Sequence, residues 1–314
     1  MKIRLSVSFS VSMIFVFFLL FLVTEVSAAP TQGYSECVEA CFLKECGEVG
    51  IRCPTVEQKR IYRRKCHGYC REQMRRQEEE RYLAAYRRRI NLFQMRANEH
   101  RKMLILQHRM WIAKKKLLHK IKMEYEAAKR ANLPKKNQIL HRMEKTMDEE
   151  MNIENKKLQY KERFYQTRQQ IRSEQQKELK RQVKRLNKGL KQANNQHKKE
   201  QTVKIKKALK KKQIQIKKVQ KKEALLRVSY YETRVKRHEQ SSKHIEIKKK
   251  RILRDKKTAE QTKNHKRLMA LAKRLGALAG KQAALKRKTQ VEKKKLKNAK
   301  SVLASYKGSQ SDIH

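Results

Sequence analysis

The chain is short of nearly everything that builds an ordinary globular core. Proline occurs three times in 314 residues, at Pro30, Pro54 and Pro134, so 55–133 and 135–307 contain none, and neither stretch holds a residue that forces a helix to stop. Glycine after residue 70 is confined to Gly189, Gly276, Gly280 and Gly308. Aromatic residues are 6% of the chain, charged residues are 36%, and acidic side chains number 30 against 83 basic ones. With apolar residues this dilute, a compact core of ordinary size is excluded for most of the sequence. No N-x-[ST] sequon is present, so no N-linked sugar would shield the charge. The one long apolar run, Met13–Val23, would span about 16 Å as a helix, well short of the ~30 Å of a bilayer interior.

That run has the setting of a secretory signal. Lys2 and Arg4 precede it, Val26-Ser27-Ala28 follow it, and Pro30 would obstruct cleavage after Ala29. Residues 1–28 are expected to be removed, leaving 81 basic against 29 acidic residues, a net +52. A charge of this sign points to a polyanionic partner. Export directs the expectation to acidic glycans, acidic matrix proteins, anionic membranes or mineral, and away from nucleic acid.

All six cysteines lie between Cys37 and Cys70, spaced C-x3-C-x4-C-x6-C-x12-C-x3-C. An even number in a short segment bound for an oxidising compartment indicates disulfides, of which sequence alone allows 15 pairings. Cys37 and Cys41 share one helix face, as do Cys66 and Cys70. The segment around Gly47 and Gly50 closes with Pro54, a turn, and Thr55 with Gln58 has capping-box spacing for a second helix. Facing residues of an antiparallel hairpin have numbers that add to a constant, and Cys37 with Cys70 and Cys41 with Cys66 both give 107. Cys46 is then left to close the turn with Cys53. A zinc site is the competing use of these thiols, but the spacings are wider than the usual C-x2-C knuckles. Over about 35 residues the pattern resembles the alpha-hairpinins, which staple two C-x3-C helices side by side. Cys46 and Cys53 depart from that pattern, and no activity is transferred.

After the cysteine segment, strong helix formers dominate. The expected architecture is mainly α: a stapled hairpin over 29–75, a long amphipathic helix over 76–133, a Lys-rich helix or patchy coiled coil over 134–307, and a disordered tail over 308–314. Leu83, Ile90, Ala97, Leu104, Trp111, Leu118 and Tyr125 recur every seven residues, with Tyr86, Phe93, Ile121 and Ala128 in the complementary positions and His100, Gln107 and Lys114 as polar breaks. Later seams form patches without one shared register, so self-association by coiled coil is an expectation for parts of the arm only. From Lys198 to Arg227 there are 13 basic residues and two acidic ones, which predicts partial disorder until a polyanion neutralises the charge. Gly276 and Gly280 are expected to loosen the helix as a hinge.

The residues expected to hold a polyanion are Lys206, Lys207, Lys210, Lys211, Lys212, Lys217, Lys218, Lys221 and Lys222, joined by Lys248, Lys249 and Lys250 and by Lys293, Lys294 and Lys295. No catalytic, metal-binding or cofactor-binding constellation stands out: the ten histidines are scattered, and no nucleophile motif or phosphate-cradling loop occurs. An enzyme is not expected. Two classes remain. One is a secreted structural or interaction protein that gathers acidic polymers, with the organic matrix of a calcified tissue as one setting. The other is a membrane-active defence or venom protein, drawn from the amphipathic segment 267–288, whose Leu268, Leu271, Leu275, Leu278 and Leu285 lie opposite its basic residues.

Overall fold

The computed structural model describes residues 33–47, 52, 53 and 55–308. The expected leader 1–28 and the tail residues 309–314 lie outside the described residues, as do Glu48–Ile51 and Pro54 of the cysteine loop. The described chain is almost entirely helical, with no strand: α1 (Tyr34–Cys46), α2 (Val56–Arg130), α3 (Lys136–Asn195), α4 (Lys199–Gln261) and α5 (His265–Gly308). It divides into two compact units, Met1–Ala85 and Tyr86–His314.

The first unit is a disulfide-stapled hairpin of α1 and the start of α2. Gly33 donates its backbone N–H to Glu36 at the start of α1. Thr55 and Gln58 exchange side-chain and backbone hydrogen bonds of 3.2 Å at the start of α2, which satisfies two orphan donors of that helix. Gly47 ends α1 at φ 76°, a conformation that suits glycine because no Cβ is present. Disulfides join Cys37 to Cys70, Cys41 to Cys66 and Cys46 to Cys53, with Cα separations of 5.8, 5.6 and 5.2 Å. The core they close is small: Val38, Cys66 and Cys70 are buried, with Phe42 packed against them and the Arg63 guanidinium over the Phe42 ring. A core of this size holds a fold only with covalent help.

In the second unit, 86–130 of α2 and then α3, α4 and α5 run antiparallel, each to the next. Arg89 meets Glu174, Lys114 meets Glu149 and Glu124 meets Arg142. Asp148 meets Arg251, and Glu162 meets Arg237. Glu232 meets Lys300, and Glu239 meets Lys293. The heptad stripe expected on α2 is its covered face: Ala97, Gln107, Ile121 and Ala128 are buried, and the other members from Ile90 to Tyr125 are half-buried. On α5, among residues 265–306, every residue shielded from solvent belongs to one heptad seam. Leu271 and Glu292 are buried, and the seam continues through Leu275, Leu278, Gln282, Leu285, Thr289, Leu296, Ala299 and Leu303 to Tyr306. The patches at 268–285 and 296–306 therefore share one register, carried across the gap by Gln282, Thr289 and Glu292. Both seams are satisfied within the chain, so an intermolecular coiled coil is not needed to cover them.

Residues 134–307, expected as one arm, form three helices. The breaks fall at Gln196–Lys198 and Thr262–Asn264, and they repeat the geometry of the turn after α2. Asn132, His197 and Lys263 take positive φ of 48°, 53° and 51°. In each turn the following N–H closes a 3.0 Å bond to an alanine carbonyl five residues back, Leu133 to Ala128, Lys198 to Ala193 and Asn264 to Ala259, the longer bond of a Schellman cap. All three alanines are buried. No glycine marks these breaks. Gly276 and Gly280, expected as a hinge, lie within continuous α5 with open space where a side chain would stand. Residues 199–227, expected to be partly disordered, are helical: Leu209 is buried and Ile205 meets Gly189 of α3.

A lysine in the left-handed region is strained, because its Cβ crowds the following carbonyl. Lys263→Gly is expected to stabilise the second unit by about 0.5–1 kcal/mol, the left-handed penalty less the entropy lost by glycine. Asn132→Gly should gain less, since asparagine tolerates this region. Thermal melts of the two variants and the parent check the order.

Candidate polyanion-binding surface

Several of the scarce carboxylates of the second unit bridge neighbouring helices. Glu162 of α3 lies between Arg234 and Arg237 of α4, at 3.3 and 3.0 Å. Arg234 also reaches Glu292 of α5 at 3.3 Å, so one guanidinium links three helices. Further along α3, Asp148 meets His244 and Arg251, and Glu144 meets Arg254 at 2.7 Å. Glu150 accepts a hydrogen bond from the Trp111 indole, and the Lys157 ammonium sits 3.7 Å above that ring. Burial raises the Glu150 pKa and lowers that of Lys157. Buried threonines avoid unpaired hydroxyls by donating to carbonyls four residues back, as Thr146, Thr167 and Thr233 do at 2.8–2.9 Å.

Taking the acids inward leaves basic outer faces. Lys206, Lys207, Lys210, Lys211, Lys217, Lys218, Lys222, Lys250, Lys293, Lys294 and Lys295 are exposed, whereas Lys212, Lys221, Lys248 and Lys249 are half-buried. The structure does not bring these lysines into one patch with equal standing. Lys249 donates to Gln282, Lys293 pairs with Glu239, and Lys295 pairs with Glu292. Sequence reasoning placed the weight on α4 and missed most of α5, which carries fourteen basic residues and one acidic one. That acid, Glu292, is 4% exposed. Arg267, Arg274, Lys281, Lys288 and Lys295 recur every seven residues and are all exposed. This period was legible in the sequence once the seam register was known.

A polar cavity of about 540 Å³ lies among α3, α4 and α5, lined in part by Asn152, Asn155, Lys156 and Gln159 of α3 and by Arg237 and His238 of α4. Leu285 contributes from α5. Ser241 completes the polar part of its wall. Among the described residues no cluster of His, Cys, Asp or Glu is placed to hold a metal ion, and no described helix is long and apolar enough to cross a membrane. The apolar face of 267–288 is the α5 seam, with Leu271 buried and Leu268, Leu275, Leu278 and Leu285 half-buried.

No family model matches the chain, and searches of curated proteins and of solved structures return no significant match.

Arg234 is 26% exposed and Glu292 is 6% exposed, so removing the cation leaves a buried carboxylate with only the exposed Lys295 beside it. Arg234→Leu should lower stability by about 2–3 kcal/mol, with the double variant R234L/E292L recovering much of the loss. Denaturant titration of the three variants and the parent measures the coupling.

Three histidines at the seams share one response to acid. Burial lowers the pKa of His238, with Arg237 and Arg234 adding to the effect. Burial and Lys248 lower that of His244 against the opposing pull of Asp148, and burial and Arg163 lower that of His100. Below the ordinary value of 6.5 the unfolded chain binds protons that the folded one refuses, so stability falls as pH drops through that value. The melting temperature is expected to decline from pH 7 to pH 5, and His238→Gln should flatten the decline. An unchanged slope in that variant would remove His238 from the account.

Proposed function

We propose that the mature protein is a secreted, cationic structural or interaction protein that binds extracellular polyanions, acidic glycans and acidic matrix proteins among them. Three disulfides suit an oxidising compartment. The observation that carries the reading is the uneven placement of charge: carboxylates such as Glu144, Asp148, Glu162 and Glu292 are tied up between helices, while most of the basic residues are left to solvent. Many lysines held on rigid helices sum weak contacts without paying to order a flexible chain first. Each neutralised anion also releases condensed counterions. The organic matrix of a calcified structure is one setting in which a bridge between acidic polymers would be useful.

The membrane-active reading is weaker. Its amphipathic segment keeps its leucines on the seam toward α4, so insertion would require α5 to leave its neighbour.

Affinity for heparin and for polyglutamate, measured with the mature chain across a salt series, tests the reading. Binding should fall steeply and linearly in log–log form as salt rises. Failure to bind either polymer at low salt, or leakage of anionic vesicles at lower protein concentration than polymer binding, would overturn it.

A further inference from the structure

The exposed face of α5 is more ordered than a polycation needs to be. Arg267, Arg274, Lys281, Lys288 and Lys295 occupy the same heptad position through five successive heptads. One residue earlier stand Lys266, Lys273, Arg287 and Lys294, also exposed, with Gly280 as the single gap. The α5 seam keeps its heptad register from Leu268 to Tyr306, so both columns stay at a constant angle to the α4 interface. Paired cations therefore recur about every 10.5 Å along roughly 42 Å of helix.

No carboxylate of α5 faces these columns. Glu292 is buried in the seam, and of the columns' cations only Lys295 reaches it, at 3.3 Å. Across the interface Glu232 and Glu239 are engaged by Lys300 and Lys293, from a different heptad position, and Glu246 accepts from Gln282.

The first column also borders the polar cavity. Leu285, one helical turn before Lys288, lines it, and the charge of Lys288 is felt at His238 on its wall. Farther along the same heptad position, Val302 lines a second cavity together with Gln176 of α3. The column thus runs along the side of α5 turned toward α3, where Asn152 and Gln159 offer neutral amides beside Lys156 and Arg237.

Resting on the polyanion reading above, we propose that this face is a docking rail for a linear sulfated glycan, whose anionic groups meet the paired cations while its hydroxyls and ring oxygens meet the amides of the cavity. The even recurrence of the cations suits a linear ligand whose anionic groups are themselves spaced along an extended chain. An acidic polypeptide would meet the same charges and could pair its backbone with the amides, so polyglutamate is the comparison that separates the two. On α4 the column Lys204, Lys211 and Lys218 ends at Leu225, and that helix shares its length with seven acidic residues.

The test moves charge without changing it. The swap K281A/A283K/K288Q/Q290K preserves composition and net charge but shifts two cations of the column to exposed positions on the other side of α5. In the full mature chain it should weaken binding of heparin oligosaccharides long enough to span the rail by about tenfold or more, while polyglutamate affinity changes less than twofold. N152A/Q159A should weaken heparin several-fold without changing the salt slope. Circular dichroism and melting of each variant control for folding. Heparin affinity unchanged by the swap would overturn the rail while leaving the general polyanion reading intact. Equal losses for heparin, polyglutamate and anionic vesicles would also overturn it, since no glycan would then be distinguished. Absence of heparin binding by the parent at low salt would remove both.

Discussion

Nearly three cations for every anion is the constraint on which the second unit depends. Antiparallel helices this basic repel along their whole length, and each like-charge contact opposes packing by tenths of a kcal/mol. Carboxylates that stand between the helices offset that repulsion. Glu162, Asp148 and Glu144 serve α3 and α4, while Glu232, Glu239 and Glu292 serve α4 and α5. Such pairs are weak sources of net stability, since desolvation offsets much of the attraction.

Apolar packing then supplies what the ion pairs do not, through an uneven set of side chains. The buried residues of α3 and α4 include Thr146, Thr167, Thr233 and Ala224 beside Met151, Leu158 and Val228. Small residues let helices approach closely without a thick apolar layer. The alanines at the turns, Ala128, Ala193 and Ala259, sit where one helix ends and its neighbour departs. A larger side chain at those positions would wedge the two helices apart.

The helical class, the stapled hairpin and the α2 stripe were legible because each rests on local periodicity: spacings of four for the cysteines and of seven for Leu83 through Tyr125. The breaks at His197 and Lys263 were not. Helix ends are usually announced by glycine or proline, and here the left-handed positions are held by histidine and lysine, which carry no such signal. Their only trace is spacing, 65 residues from Asn132 to His197 and 66 from His197 to Lys263, which becomes visible once one turn is known. The basic column of α5 was hidden for a related reason. Counting lysines favours dense runs such as 204–222, whereas exposure depends on how many neighbours a helix has, and that is a property of the fold.

The same scarcity of acid links fold to function. Every carboxylate committed to a seam is one fewer on the surface, and because the only acid of α5 is the buried Glu292, the outer columns of that helix carry no acid of their own. The two populations of charge differ in their response to salt. Seam pairs such as Arg251 with Asp148 are largely withdrawn from solvent and are screened little, while exposed lysines separated by about 10.5 Å feel the full ionic atmosphere at a Debye length of about 8 Å. Rising salt therefore screens the exposed lysines before it loosens the helices that carry them. Acid acts in the opposite order, because the seam histidines must accept protons beside Arg234, Arg237 and Arg163, while lysines at the surface keep their charge. Surface charge and folding in this unit answer to different variables although both are governed by one imbalance of charge.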